Sequence, residues 1–336
     1  MAVGPNIREV AKAAGVSVAT VSGVLNNSGR HSPVTAAKVR QVMQDMGYVP
    51  RRNKLRRPAK KGDVLSVGVL FPDVHPAGTQ TPLGKGLARG VQKALSEQNA
   101  QASVLTLDDD GSLPDAITSG ALQGVVVRSG SRVEGGDERL GRELERAGIP
   151  VVWTFGTSSM PSADVVMVDD RGCGIWAADW VPMESRRVLI VRTSDRNIDI
   201  EFRAIAFEYH LRDRGLTPHQ LVHDSDAKLA KAFNDLPDSP VTVFVPGHDT
   251  QVLAVHDCLA KRSRKKGSED MLIAVMTDDM PLAPHVGESV HVLHIDPVRI
   301  GIAAGRQLLW RRETPWAEPA RLLVPARELS GGKGRD

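Results

Sequence analysis

The sequence predicts an all-α helix-turn-helix headpiece followed by an α/β body of two doubly wound parallel-sheet lobes. Three observations predict it. Residues 6–50 carry three capped helical patterns, residues 51–62 form a basic run, and the remaining chain alternates short β-branched runs with amphipathic stretches. The expected organisation is a DNA-binding domain over 1–50, a basic hinge linker over 51–63, a two-lobed body over 64–330 and a disordered tail over 331–336.

The first helix starts at Asn6, a good N-cap, and its apolar residues Ile7, Val10, Ala11 and Ala14 recur at helical spacing. Gly15 can take the positive φ that closes a helix and turns the chain sharply. Ser17 then caps a second helix whose inner face is Val21, Val24 and Leu25. Its other face, with Val18, Ala19, Ser22 and Gly23, is small enough to lie deep in a major groove. Asn26-Asn27-Ser28-Gly29 reads as a loop, and Ser32-Pro33 starts a third helix with Val39, Val42, Met43 and Met46 inside.

Charge is segregated along the chain. Residues 51–62, RRNKLRRPAKKG, hold seven Lys or Arg and no acid. Residues 1–62 hold twelve basic residues against Glu9 and Asp45, a net +10, so with +3 overall the rest carries −7. A basic head suits a phosphate backbone, and an acidic body repels one. A solvated linker has the same composition, but beside a helix-turn-helix the backbone-contacting role is the better reading.

The body, about 270 residues, is long enough for two lobes with sizeable cores. Strand-like runs are VLSVGVLF (64–71), ASVLTL (102–107), GVVV (124–127) and PVVW (150–153), with a helix near 82–98. A second series comprises VVMV (165–168), RVLIV (187–191), VTVFV (241–245), MLIAV (271–275) and HVLHI (291–295). Such runs separated by helices read as parallel sheets, and ligands of these folds bind outside the carboxyl ends of the strands. Asp73 and His75 follow the first run, Arg128 and Ser129 follow GVVV, and His248 and Asp249 follow VFVP. The last two either line a cleft or form a turn. Trp153, with Phe155 just beyond it, either stacks on a sugar ring or belongs to the core.

Residues 6–50, above all IREVAKAAGVSVATVSGVLN and the later GYVP, resemble the headpiece of the LacI family of bacterial transcription regulators. The resemblance implies that Ser17, Val18, Ala19, Thr20 and Ser22 face DNA, with Asn26 and Arg30 near phosphate. Gly23 stands where the family usually has arginine, which removes a donor and costs the helix about 1 kcal/mol. The family typically wedges a leucine from a short hinge helix into the minor groove. Here the matching position, seven residues after Pro50, is Arg57, and Pro58 stops any helix. Either Leu55 wedges, or Arg51, Arg52, Arg56 and Arg57 read a narrow A·T-rich groove.

In the body, VMVDDRGCG (166–174), RAIAFEYHLRDRG (203–215) and IAVMTDDMPLA (273–283) resemble the family in position and type. The resemblance implies a body similar to periplasmic sugar-binding proteins, with Arg203 and Asp278 contacting an effector through charge-assisted bonds. Read alone, they are ordinary helix-start and strand-end charges, either separate or paired with each other. MTDD in place of GFDD, and Ala206 in place of glycine, imply an effector unlike the common sugars, or none.

Enzymatic patterns are absent from the sequence. In GTQTPLGKG (78–86) five residues separate Gly78 from Gly84 where a phosphate loop has four, and Gly86 stands where Ser or Thr would hold Mg²⁺. Asp108-Asp109-Asp110-Gly111 lacks the alternating ligands of a calcium loop, the ten histidines lack metal-ligand spacing, and Cys173 and Cys258 form no motif. No cofactor is expected. Without an 18-residue apolar stretch or a signal-peptide pattern, a cytoplasmic protein with reduced thiols is expected. The sequence thus points to a homodimeric regulator, a repressor, on a pseudo-palindromic operator, modulated by a small molecule such as a sugar. The alternative is a regulator without an effector, its body a platform for dimerisation and protein interaction.

Overall fold

A computed structural model describes residues 5–25, 32–46, 48, 64–72, 81–96, 98–108, 111–129, 136–155, 163–193, 198–247, 249–266, 269–277 and 289–330. The chain divides into two compact units, one of residues 1–80, 87–166 and 301–322 and one of 81–86, 167–300 and 323–336.

The first unit opens with α1 (Ile7–Ala14), α2 (Val18–Leu25) and α3 (Pro33–Asp45). Each begins at the predicted cap. Asn6 Oδ1 accepts from the N–H groups of Arg8 and Glu9 while Glu9 Oε2 accepts from Asn6 N, a complete capping box. Ser17 Oγ accepts from Thr20 N at 3.0 Å, and Ser32 Oγ from Thr35 N at 3.1 Å. Gly15 closes α1 with φ 65°, the left-handed conformation that turns the chain into α2. Val10, Ala11, Ala14, Val21, Val24, Val39, Met43 and Tyr48 form one buried core among the three helices.

The body of this unit is built on β1 (Leu65–Phe71), α4 (Pro82–Leu95), β2 (Ala100–Thr106), α5 (Asp115–Thr118), β3 (Gly124–Arg128), α6 (Gly136–Ala147), β4 (Val151–Thr154) and β5 (Asp164–Val168). The second unit continues with α7 (Asp170–Asp179), β6 (Val188–Thr193), α8 (Ile198–Asp213), β7 (His219–His223), α9 (Asp226–Asn234), β8 (Thr242–Val245), α10 (Asp249–Lys266), β9 (Met271–Met276) and β10 (Ser289–His294). The chain then runs through α11 (Pro297–Glu313), β11 (Arg321–Val324) and β12 (Arg327–Ser330).

The strand order is β11-β5-β4-β3-β1-β2 in one sheet and β12-β10-β9-β8-β6-β7 in the other. The pairs from β1 to β5 and from β6 to β10 are parallel, and β12 runs antiparallel to β10. Each sheet winds outward from β1 or β6 to an edge strand and returns on the other side. The strand order therefore reverses between β1 and β3, and again between β6 and β8, which is where doubly wound sheets bind ligands.

Central strands are buried on both faces. In the second unit Val243, Val245, Leu272, Ala274 and Met276 face Val252, Val255 and Leu259 of α10 and Leu229 and Phe233 of α9. On the opposite face Phe207 of α8 stacks on Phe244 of β8, ring centroids 4.2 Å apart. Several strands differ from the sequence reading, and VVMV (165–168), read with the second series, is β5 of the first sheet. The first-sheet run expected at 102–107 is the edge strand β2 starting at Ala100, and β7, β11 and β12 carried no recognised run. Both β2 and β7 lie at sheet edges and are half exposed, so neither needs an unbroken apolar pattern. No helix among the described residues is long and apolar enough to cross a membrane.

Candidate functional site

Two regions carry the predicted functional residues. On α2, Val21 and Val24 are buried, whereas Ser17, Val18 and Ala19 are exposed and Thr20 and Ser22 half exposed. The face predicted to meet DNA is thus the outer one. Ser17 Oγ and Thr20 Oγ1 lie 2.9 Å apart, and Ser17 Oγ also serves the cap, so these two hydroxyls hold the helix start as well as lining its outer surface. Arg8, Lys12 and Lys38 add exposed positive charge on α1 and α3. Asn26, Arg30, Arg51, Arg52, Leu55, Arg56 and Arg57 lie outside the described residues.

The second region lies at the carboxyl ends of the strands. In the second unit Arg203, in the second turn of α8, is buried and donates from Nε to Asp170 Oδ1 at 2.7 Å and from Nη1 to the carbonyl of Pro246 at 2.8 Å. Two glycines make room for it. A Cβ on Gly174 would come within 2.3 Å of the Arg203 carbonyl, so only glycine lets α7 and α8 approach this closely. A Cβ on Gly247, just beyond β8, would stand 3.0 Å from Arg203 Nη1. The guanidinium is therefore held beside the β6/β8 reversal, with Nε and Nη1 occupied by protein oxygens. Asp169 caps α7 by accepting from Gly172 N at 2.9 Å, which sets Asp170 at the first helical position.

Arg203 was expected to meet an effector or to pair with Asp278. Its partner among the described residues is Asp170, a residue of VMVDDRGCG that sequence reasoning did not single out. The available signal was the Asp169-Asp170 pair at a helix start, followed by Gly172 and Gly174. Burial pushes the Asp170 carboxyl up to about 6; Arg203 opposes this, and Asp199 and Asp169 add to it. Its folded value lies above the ordinary 3.8, so the folded state binds the proton more tightly than the unfolded chain does. This group therefore favours folding more as pH falls through 6 towards 4. Between pH 7 and pH 5, urea titrations should show the wild type gaining about 1 kcal/mol relative to Asp170→Asn. A difference that stays constant with pH contradicts the raised value.

Asp249 opens α10 and accepts from Thr277 N at 3.0 Å and Thr277 Oγ1 at 2.8 Å. His294 Nε2 lies 3.3 Å from the Thr277 carbonyl. Asp249 thus ties the end of β9 to the start of α10. It is a strut at the carboxyl end of β9.

In the first unit Arg128 ends β3 beside the β1/β3 reversal, and buried Ser129 donates to Asp137 Oδ2 at 2.5 Å. Trp153 is corrected: at 1% exposure it is a core side chain of β4 and presents no ring face for stacking. A fully buried strand admits the large indole because both sheet faces are covered. Phe155, next along, has φ 58°, the one non-glycine residue with positive φ among the described residues. A bulky residue held there stores strain, and such strain collects at ligand clamps. Asp73, His75, His248 and Asp278 lie outside the described residues.

Cys173 and Cys258 are free thiols, and burial pushes Cys173 up to about 11, which keeps it a thiol rather than a nucleophile. Cys258 is half buried. Among the described residues no group of three or more His, Cys, Asp or Glu could hold a metal ion.

A capped helix-turn-helix joined to two doubly wound units defines a helix-turn-helix transcription regulator. Residues 6–51 match the family described as bacterial regulatory proteins, lacI family. The regulator CelR of Thermobifida fusca is 30% identical over 95% of this chain and 95% of its own length. This chain belongs to the LacI family. The regulator DegA of Bacillus subtilis is 28% identical over 51% of this chain, a match spanning only about half (50%) of DegA. Among solved structures, a CelR–cellobiose complex matches with TM-score 0.59 at 24% identity, covering 97% of this chain and 98% of that one.

Proposed function

We propose that this protein is a cytoplasmic, sequence-specific repressor that binds a pseudo-palindromic operator as a homodimer, and that a small molecule of the saccharide class modulates its operator affinity. The observation that carries the ligand half is Arg203. It is a buried guanidinium fixed by Asp170 and the Pro246 carbonyl at the strand-order reversal of its sheet. Among the described residues Nε and Nη1 have protein partners and Nη2 has none, so Nη2 is the donor we assign to a ligand hydroxyl or anionic oxygen. The cellobiose named in the related CelR complex supports a saccharide.

Two headpieces related by a twofold axis read two half-sites, and a ligand that prefers one conformation of the body shifts the population able to reach both. Thermal unfolding against a panel of mono- and disaccharides including cellobiose tests this. A ligand that binds only the folded state raises the melting temperature, by an amount that grows with its concentration. At least one saccharide should do so and should change operator affinity, and Arg203→Lys should weaken its effect at least tenfold while the apo protein still binds operator. If no saccharide shifts the melting temperature, the second reading holds: a regulator whose body serves dimerisation and protein contacts.

A further inference from the structure

The turn between α11 and β11, residues 314–320, is built more firmly than a connection requires. All five N–H groups of Arg311 are used in it. Nε donates to Asp164 Oδ2 at 2.6 Å, and Nη2 donates to Asp164 Oδ1 at 2.8 Å and to the Glu318 carbonyl at 2.9 Å. Nη1 donates to the carbonyls of Thr314 and Ala317 at 3.3 and 2.6 Å. Asp164, itself fully buried, also accepts from Ala320 N at 2.8 Å, tying the turn's far end to β5. A bidentate pair with every donor placed fixes the turn's shape, not merely its position.

That rigid turn offers two side chains to the headpiece. Trp316 packs against the buried core of the three helices. Glu318, otherwise well exposed, is ion-paired with Arg40 of α3. The contact leaves the outer face of α2 open, with Val18 42% exposed and Ser17 and Ala19 also at the surface.

We propose that the 314–320 turn is a docking surface for the chain's own headpiece. It seats α1–α3 on the first body unit independently of the basic linker and so sets the direction in which α2 is offered to DNA. A headpiece held in this way loses less orientational freedom on reaching the operator than one tethered only through residues 51–63, so Trp316 and Glu318 contribute to operator affinity without touching DNA.

The test uses the full-length chain. Transverse ¹⁵N relaxation of headpiece amides should match that of the body in the wild type. In Trp316→Ala, and in Glu318→Arg, headpiece amides should relax severalfold more slowly, as a module tumbling on its own does, and operator affinity should fall about five- to tenfold. Glu318→Arg and Arg40→Glu exchange exposed or half-exposed charges, so neither threatens the fold, and the double exchange Arg40→Glu/Glu318→Arg should restore both readouts. Independent tumbling of the wild-type headpiece overturns the proposal. So does a Trp316→Ala protein whose relaxation and operator affinity equal those of the wild type.

Discussion

Replacing Arg262 by Ala should lower the unfolding free energy by about 3–5 kcal/mol, the cost of leaving a buried charge without its partner. Arg262 lies in the fourth turn of α10 and donates from Nε to Asp270 Oδ2 at 2.9 Å. Its Nη2 donates to the carbonyls of Pro237 and Ser239, each at 2.6 Å, and its Nη1 to that of Leu236 at 3.3 Å. Asp270 is completely buried and its other oxygen accepts from Val241 N at 3.0 Å. One guanidinium therefore binds the entry to β8, the entry to β9 and the loop after α9. Truncation leaves the buried Asp270 carboxylate without its cation, and it cannot reach water without opening the lobe, while the three carbonyls of the loop lose their donor. The urea midpoint should fall with little change in slope, while the double replacement Arg262→Met/Asp270→Leu should recover most of the loss. A loss under about 1 kcal/mol for Arg262→Ala would show that the pair is solvated and the argument wrong.

The second large effect concerns DNA. Converting Arg51, Arg52, Arg56 and Arg57 to Ala together should flatten the dependence of log K on log salt by about 3.6 per protomer, because each phosphate neutralised contributes about 0.9 to that slope on B-form DNA. At low salt the variant should lose several orders of magnitude in operator affinity while its melting temperature holds. An unchanged slope would place the basic run in solvent. The choice between Leu55 and the arginines as minor-groove contact is open to the same assay. Leu55→Ala should weaken binding without altering the slope if leucine wedges, whereas narrow-groove reading by arginine predicts that the loss falls on A·T-rich centres.

The three buried Arg–Asp clamps show why parts of this fold were readable and parts were not. Asn6, Gly15, Ser17 and Ser32 each act within three or four residues of their own position, and all four behave as their spacing predicts. Helix period, caps and the left-handed turn are local physics, so the headpiece was legible almost residue by residue. The central strands were legible too, because a strand buried on both faces must be apolar throughout. Edge strands such as β7 have no such obligation, and they went unseen.

The candidate ligand edge was legible only in outline. The topology puts Arg128 and Asp249 beside strand ends, as the pattern of alternating runs implied, and Arg203, which only the resemblance singled out, reaches the carbonyl of Pro246 just beyond β8. Their partners were hidden. Asp170 is 33 residues from Arg203, Thr277 is 28 from Asp249, and Asp164 is 147 from Arg311. Trp153 shows the same limit from the other side, since an indole in an apolar run suits a sugar or a core equally until the neighbouring elements close over it.

The sequence by itself determined the three-helix headpiece, the segregation of positive charge into residues 1–62 and the alternation that makes two parallel sheets. Only the tertiary structure decided which charges are buried together and which turn meets the headpiece. Capping and periodicity are settled within a few residues by backbone geometry. A buried ion pair forms only where separate elements have already excluded water, and that is a property of the packed chain.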